Sequence, residues 1–555
     1  MQTPSTLKSI PFFRYPHIFE QQREEILAAM LKVMDKGAFI LQKELSTFES
    51  NLAGYVVVAH SIGVANGTDS LIIALRAAGI GEGDVVALLL RNDLTFIEAT
   101  LAANYAGAYA APINWHGTAD DVGFIVRDSN AKVLVAHKDL IADKSAAMPV
   151  DLRVFRTPAP PEVVAAYTLS SDTDPADDWE DLVALHTPLA NPSGATRASI
   201  VYTSGTTGRP KGVRREPQQD LRSSPAGGDY PAPFGLTEGR AVTALISGPL
   251  YHTAPNAYAM SALRCGASLV LQPRFDAEEL LQLIERHQVS HVHMVPIMFI
   301  RLLRLPLHVR QKYDLGSLRY VVHGAAPCPP DVKRAMIEWL GPIIYEYYGS
   351  TETGIAVWHD SAEALRKPGT VGRPLAGSSV RIVDDKGDCL PPGEVGEVYL
   401  RSADMSPFTY IGLTKQIAEI TRDDHVTVGD VGWVDEDGYL FLTDRKRDMI
   451  ISGGVNIYCA EIEAALLALA GVKDCAVFGI PDVEFGESVC AYVEPQDGVT
   501  LDEAAIRDAL SERLARYKIP KRIRFVAHLP REDSGKIFKR KLREPYWAKR
   551  ATAIG

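Results

Sequence analysis

The chain has 555 residues, more than one hydrophobic core accommodates, so about two to four domains are expected. Hydrophobic residues at 46% and charged residues at 23% describe an ordinary globular protein, and a net charge of −11 argues against nucleic acid as the main partner. No apolar run approaches the roughly 20 residues of a membrane-crossing helix and no signal-peptide pattern opens the chain, so a cytoplasmic location is expected. Cys265, Cys328, Cys389, Cys459, Cys475 and Cys490 show no paired metal-type spacing and read as buried thiols in a reducing compartment.

Residues 17–50 read as amphipathic helices, with Ile26-Leu27, Met30-Leu31 and Met34 at helical spacing. Ile62-Gly63-Val64-Ala65-Asn66-Gly67-Thr68-Asp69 then opens a helix over Leu71–Ala78. With Ile40-Leu41-Gln42-Lys43-Glu44 and Phe48-Glu49, this stretch resembles the start of the pyridoxal-phosphate sugar aminotransferases. That resemblance implies backbone amides of the Asn-Gly-Thr-Asp turn on a cofactor phosphate at a helix N-terminus. It covers residues 1–80 only, and the Schiff-base lysine and pyridine-nitrogen aspartate of that family have no counterparts downstream. Aminotransferase activity is not expected.

After the turn Gly79-Ile80-Gly81-Glu82-Gly83-Asp84, Val85–Leu90 is a continuous apolar strand of the buried parallel type. A helix over Asp93–Ala106, a strand at Ala110–Asn114 and another at Ala131–Val135 continue the alternation. Repeated strand–helix units predict an α/β fold, a mainly parallel sheet covered by helices.

Ala198–Tyr202 reads as a strand end, and Tyr202-Thr203-Ser204-Gly205-Thr206-Thr207-Gly208-Arg209-Pro210-Lys211-Gly212-Val213 follows it. Gly205, Gly208 and Gly212 let backbone amides approach an anion closely, while Thr203, Ser204, Thr206 and Thr207 add hydroxyl donors and Lys211 a mobile charge. A polar surface turn is the alternative. The loop differs from the common nucleotide loop, whose Gly-Lys precedes Ser or Thr. It resembles the phosphate loop of the adenylate-forming superfamily of acyl-CoA synthetases, luciferases and peptide-synthetase adenylation domains. The usual opening of that superfamily, a β-hairpin and helix, is replaced here by the aminotransferase-like segment.

Further motifs follow in the superfamily's order. Pro249-Leu250-Tyr251-His252-Thr253-Ala254-Pro255 follows an apolar strand at 241–246. His252 alone could cap a helix; the resemblance makes it a gate beside the acyl pocket. His293-Met294-Val295-Pro296 with Met298, Phe299 and Leu302 reads as core or as acyl-pocket wall. Leu318–Val322 is a strand, and after it Gly324-Ala325-Ala326 suits either a tight turn or, by resemblance, the flat face of an adenine. In Tyr345-Glu346-Tyr347-Tyr348-Gly349-Ser350-Thr351-Glu352-Thr353-Gly354, Tyr348 can stack on a base, Thr351 can bond the α-phosphate and Glu352 can hold Mg²⁺. Gly349 and Ser350 complete that nucleotide segment; a helix cap is the alternative for the Thr-Glu pair.

Val428–Trp433 leads into a hairpin around Asp437-Gly438, with Tyr439–Leu442 as the return strand. Asp430 suits two ribose hydroxyls, since one carboxylate accepts from both, or else is simply a turn residue. By resemblance Arg445 contacts the ribose and Arg447 marks the hinge about which a small C-terminal domain swivels. Ser452-Gly453-Gly454 resembles the passage for the pantetheine arm of CoA. Helix 460–469, strand 474–479 and helix 502–515 complete an α+β unit. In Pro530-Arg531-Glu532-Asp533-Ser534-Gly535-Lys536-Ile537, a lysine in a polar loop is ordinarily just exposed; the resemblance makes Lys536 the mobile lysine bridging carboxylate and α-phosphate.

Three parts are therefore expected: an atypical segment at 1–80, an adenylate-forming domain at 81–446 and a mobile domain at 447–555. The resemblance implies an acyl-CoA synthetase using ATP, Mg²⁺ and CoA on a small carboxylic acid, a fatty or other hydrophobic one. Transfer to a carrier-protein phosphopantetheine and a non-catalytic nucleotide- or acyl-binding role are the alternatives. Oligomeric state has no sequence signature here.

Overall fold

Val85–Leu89 contains no polar residue, and in the computed structural model it forms strand β1, buried throughout. The structure describes residues 75–551 apart from 77, 171–177, 180–194, 204–208, 220–231, 237–240, 404–405, 414, 447, 453–454 and 532–536. The helices read at 17–50, the Asn66–Asp69 turn and most of the 71–78 helix lie outside these residues.

Asp93 follows β1 and caps α1 (Leu94–Tyr105), its carboxylate accepting from Phe96 N at 2.9 Å. β2 (Tyr109–Pro112), α2 (Ala119–Asp128), β3 (Val133–His137) and β4 (Arg153–Thr157) follow. The four strands lie in the order β2-β1-β3-β4, all parallel, as the strand–helix alternation predicts. β5 (Val201–Thr203) and β6 (Lys211–Arg215) form an antiparallel hairpin.

A larger sheet begins with β7 (Thr243–Ile246), β8 (Ser268–Leu271), β9 (His291–Met294), β10 (Tyr320–His323) and β11 (Ile344–Ser350), parallel and in the order β8-β7-β9-β10-β11. α3 (Thr253–Arg264), α4 (Ala277–His287), α5 (Pro296–Leu303) and α6 (Pro330–Leu340) connect them. Leu280, Ile284, Val292, Phe299, Val321 and Met336 share one buried cluster between sheet and helices.

Beyond β11 the sheet becomes antiparallel, which the predicted alternation did not foresee. β12 (Gly354–His359), β13 (Thr370–Pro374), β14 (Ser379–Val383), β15 (Gly396–Arg401), β17 (His425–Val434) and β18 (Leu440–Arg445) extend it as β12-β13-β18-β17-β15-β14. Antiparallel neighbours need only short turns, so no helical crossover marks them. β16 (Phe408–Tyr410) leaves this sheet and pairs with β6.

The smaller C-terminal domain comprises β19 (Ile450–Ser452), β20 (Val455–Ile457), α7 (Cys459–Leu467), β21 (Val472–Asp482), β22 (Gly486–Pro495), α8 (Glu503–Ser511), β23 (Arg522–Phe525) and α9 (Lys539–Ala551). Ile450, Ile462, Leu466, Val477, Val493, Ile506 and Leu510 make its own core. The cysteine expectation holds for Cys459, Cys475 and Cys490 only. Cys265 and Cys328 are half-buried and Cys389, in the connection between β14 and β15, is exposed.

One charged group sits deep in the larger domain. Glu346 on β11 is buried against Lys333 of α6, with His359 Nε2 2.8 Å and His323 Nε2 3.9 Å from its Oε2. Burial opposes ionisation of this carboxyl, but the Lys333 ammonium and the two imidazoles outweigh it and hold the group well below the usual carboxylate range.

Candidate active site

The predicted phosphate loop spans the connection between β5 and β6. Thr203 pairs with Lys211 across it, while Ser204, Gly205, Thr206, Thr207 and Gly208 lie outside the described residues. Gly212 departs from its expected role. It is a buried strand residue of β6, and a Cβ there would come within 2.8 Å of the Tyr202 ring and 3.1 Å of Ile411. Packing, rather than approach to an anion, requires glycine at this position. Gly212→Ala is expected to cost about 1–3 kcal/mol of stability by overpacking, read as a lowered melting temperature.

Lys211 Nζ lies 5.3 Å from the centre of the Tyr410 ring, and Tyr410 donates its hydroxyl to Glu352 Oε1 at 2.9 Å. One tyrosine thus joins the loop's cation to the predicted metal ligand. Burial and the Glu352 carboxylate push the Tyr410 phenol far above its ordinary pKa, so it stays a donor. Glu352 is itself 8% exposed.

The turn carrying Thr351 and Glu352 joins β11 to β12, so it caps no helix. Ser350 holds it internally, its hydroxyl accepting from Glu352 N at 3.2 Å and Thr353 N at 3.0 Å. Gly349 is obligatory, because a Cβ would lie 1.8 Å from Gly354 O. Arg215 on β6 donates to the carbonyls of Thr351 (2.6 Å), Glu352 (2.7 Å) and Ser406 (2.9 Å), locking the turn to the hairpin. Thr351 Oγ1 meets Thr253 Oγ1 at 2.7 Å. His252 occupies the N-cap position of α3 without a side-chain cap bond, and its ring packs 4.5 Å from that of Tyr251. Asn92 braces this loop, donating to Gly248 O at 2.9 Å and accepting from Leu250 N at 2.8 Å.

On the nucleotide side, Asp430 on β17 accepts from Tyr348 Oη at 2.7 Å on one oxygen and from Arg445 Nε at 2.9 Å on the other. Each oxygen keeps acceptor capacity for a hydroxyl. Tyr348, predicted as a stacking ring, is therefore held by its phenol; burial and Asp430 raise that phenol well above its ordinary pKa. Gly324, Ala325 and Ala326 follow β10. A Cβ on Gly324 would lie 2.8 Å from the Tyr347 ring, and Ala325 adopts φ +65, an uncommon conformation for a residue with a side chain.

In the C-terminal domain Ser452 ends β19, while Gly453, Gly454, the expected hinge position Arg447 and Lys536 lie outside the described residues. Either side of the Lys536 segment is anchored. Arg531 and Ile537 form an antiparallel bridge, and Lys539 Nζ lies 2.8 Å from the half-buried Glu463. Asp444, at the end of β18, accepts from Ala460 N at 3.2 Å and so caps α7 across the domain junction.

Sequence reasoning did not single out Tyr410, Arg215 or Asn92, nor Thr253 as a partner of Thr351. Tyr410 stands in a short aromatic run, Phe408-Thr409-Tyr410, but nothing in its spacing ties it to a residue 58 positions earlier.

Fold and site together define an adenylate-forming enzyme, and the chain belongs to the AMP-binding enzyme family. Residues 65–408 match that family and residues 461–536 match the AMP-binding enzyme C-terminal domain. The chain is 34% identical over 488 residues to a feruloyl-CoA synthase of Amycolatopsis sp, covering 85% of this chain and 91% of that one. Among solved structures it is similar to ATP-bound MatB from Rhodopseudomonas palustris (TM-score 0.73, 29% identity, 86% of this chain and 92% of that one). It is also similar to O-succinylbenzoate coenzyme A synthetase from Bacillus subtilis in complex with ATP and magnesium ion (TM-score 0.71, 25% identity, 86% and 92%).

Proposed function

We propose that the chain is an AMP-forming acid–CoA ligase that activates a hydrophobic carboxylic acid with ATP and passes the acyl group to CoA. The observation that carries this reading is the Lys211–Tyr410–Glu352 chain, in which one tyrosine joins a cation to a carboxylate. Family membership and similarity to CoA-forming and ATP-bound relatives support it.

A carboxylate is a poor acyl donor because oxide would have to leave. Attack of its oxygen on the α-phosphorus of ATP forms an acyl-adenylate and expels pyrophosphate. Two anions meet in that step, so offsetting their charge dominates the barrier. Lys211 and the donors at 203–208 hold the pyrophosphate side, and Thr351 donates to the α-phosphate. Asp430 and Arg445 hold the ribose, Tyr348 and the 324–326 turn the base. Lys536 bridges the two reacting anions, and His252 gates the acid. In the second step the CoA thiolate attacks the acyl carbonyl and AMP leaves. Ser452, Gly453 and Gly454 pass the pantetheine arm after the C-terminal domain turns about Arg447.

Glu352 fits a magnesium ion. One carboxylate oxygen is fixed by Tyr410, and among the described residues no group of three or more His, Cys, Asp or Glu could hold a metal alone. That donor set suits a hard cation completed by phosphate oxygens. Bound there, the ion would supply positive charge that offsets that of the phosphates. Glu352→Gln is expected to lower acid-dependent pyrophosphate release about a hundredfold and to raise the Mg²⁺ concentration needed for half-maximal rate.

No described helix is long and apolar enough to cross a membrane. Pyrophosphate and AMP release across a panel of aryl, cyclic and alkyl acids, with and without CoA, tests the reading. Acid-dependent pyrophosphate release with CoA-dependent turnover is expected. Release that CoA does not accelerate favours a carrier-protein acceptor, and no release with any acid favours a binding role.

A further inference from the structure

The antiparallel half of the large sheet carries a serine–histidine pair that the ligase reading leaves unused. Ser379 opens β14, Arg401 ends β15 opposite it, and His425 opens β17. His425 Nδ1 lies 2.8 Å from Asp423 O, and its Nε2 lies 2.8 Å from Ser379 Oγ. A carbonyl oxygen only accepts, so Nδ1 carries the ring proton of the neutral imidazole. Burial, with Arg381 and Arg401 nearby, holds this histidine below its ordinary pKa and so neutral at pH 7. Nε2 is then an acceptor, and Ser379 donates its hydroxyl to it. A hydroxyl on an imidazole whose other nitrogen is fixed by a third group is the arrangement of an activated nucleophile. Asp430 of the nucleotide side lies five residues further along β17, about 17 Å of strand away.

The surroundings suit a reacting group. The carbonyl that orients His425 belongs to a two-residue turn in which Asp423 has φ +43 and Asp424 φ +64. Two consecutive non-glycine residues in left-handed backbone are strained, and such strain concentrates at functional sites. An open cavity of about 360 Å³ is lined by Ser379, Arg381, Arg401, Asp424 and His425, so the pair borders space for a ligand. Arg381 pairs with Asp423 at 3.1 Å, but Arg401 forms no ion pair among the described residues, and its Nε donates to Ser379 Oγ at 3.3 Å. A free guanidinium there can take the charge that develops on a carbonyl oxygen under attack.

We propose that Ser379 and His425 form a second, hydrolytic site that acts on a small carboxylic ester. Ser379 Oγ attacks the ester carbonyl while His425 Nε2 takes the hydroxyl proton and Arg401 holds the negative carbonyl oxygen. The bond from that carbon to the alcohol oxygen breaks, and the alcohol leaves with the proton. Water then attacks the acyl-serine and gives a proton to Nε2, which returns it to Ser379 as the acid leaves. Ester and water become acid and alcohol, with no need of ATP or CoA.

Treating the full chain with an alkyl fluorophosphonate at pH 7, then mapping the label by peptide mass, tests the site. Ser379 is expected to carry the phosphonyl group, its oxygen bonded to phosphorus and fluoride expelled, and His425→Gln to slow labelling about a hundredfold. The wild type is expected to hydrolyse 4-nitrophenyl butyrate, Ser379→Ala to abolish that hydrolysis and Arg401→Gln to slow it about a hundredfold. Arg401 is exposed, so its variant carries the test where His425→Gln does not fold. No label on Ser379, labelling unchanged in His425→Gln, a labelled Ser379 without ester hydrolysis, or hydrolysis unchanged in Ser379→Ala or Arg401→Gln overturns the proposal.

Discussion

Lys536→Ala is expected to lower acid-dependent pyrophosphate release about a thousandfold while sparing thioester formation from preformed acyl-adenylate, the upper end for removing one preorganised group at developing charge. The asymmetry follows from the chemistry. Only the first step brings a carboxylate against a phosphate, and only there is a cation between them needed. In the second step a thiolate attacks a carbonyl with AMP as leaving group, and on the proposed reading Lys536 has no part in it. The anchors on either side of its loop, Arg531 paired with Ile537 and Lys539 on Glu463, belong to the C-terminal domain, so alanine at 536 leaves them in place. Rapid-quench assays of the two half-reactions measure the split. Equal losses in both would remove Lys536 from this role.

Lys333→Met is expected to destabilise the larger domain by about 3–5 kcal/mol, the usual cost of stranding one partner of a buried ion pair. Glu346 would keep only the two imidazoles as company. In the wild type its carboxyl titrates below its unfolded value. Its stabilising contribution is therefore complete above an unfolded pKa of about 4.3 and is lost as pH falls through the lower folded value. Without Lys333 the sign reverses, because burial then raises the folded pKa and protonation relieves the strain. The gap in urea midpoint between wild type and Lys333→Met should narrow as pH is lowered from 7 toward 4. Glu346→Gln in the Lys333→Met background should recover part of the loss. A gap that widens on acidification would refute the pairing.

Much of the fold was legible in local pattern. The strands read at 85–90, 241–246 and 318–322 became parallel strands β1, β7 and β10, and the first, with no polar residue, is the pattern of a strand covered on both faces. The helix read at 93–106 is observed as α1, Leu94–Tyr105, with Asp93 as its cap. The antiparallel half of the large sheet was less visible, since short turns leave no helical period between its strands. Gly212 was misread for a similar reason. A glycine in a polar loop and one pressed against a ring look alike until Tyr202 is placed beside it.

The sequence by itself named the candidates: a loop of hydroxyls with Lys211, the Thr351-Glu352 pair and Asp430 through the chemistry of their residue types, and Arg445 and Lys536 through resemblance to the adenylate-forming superfamily. Tertiary structure decided which of them meet. Tyr348 reaches Asp430 across 82 residues, Thr253 meets Thr351 across 98 and Arg215 holds the Thr351 carbonyl across 136. Even the near pair needed the fold. Counting back from Val434↔Leu440 through Trp433↔Phe441 and Gly432↔Leu442, an even hairpin would set Asp444 opposite Asp430, two carboxylates face to face. A bulge between Val431 and Gly432 shifts the register by one and brings Arg445 opposite instead. Residue types follow from composition along the chain, but register and long-range contact depend on packing that no local pattern contains.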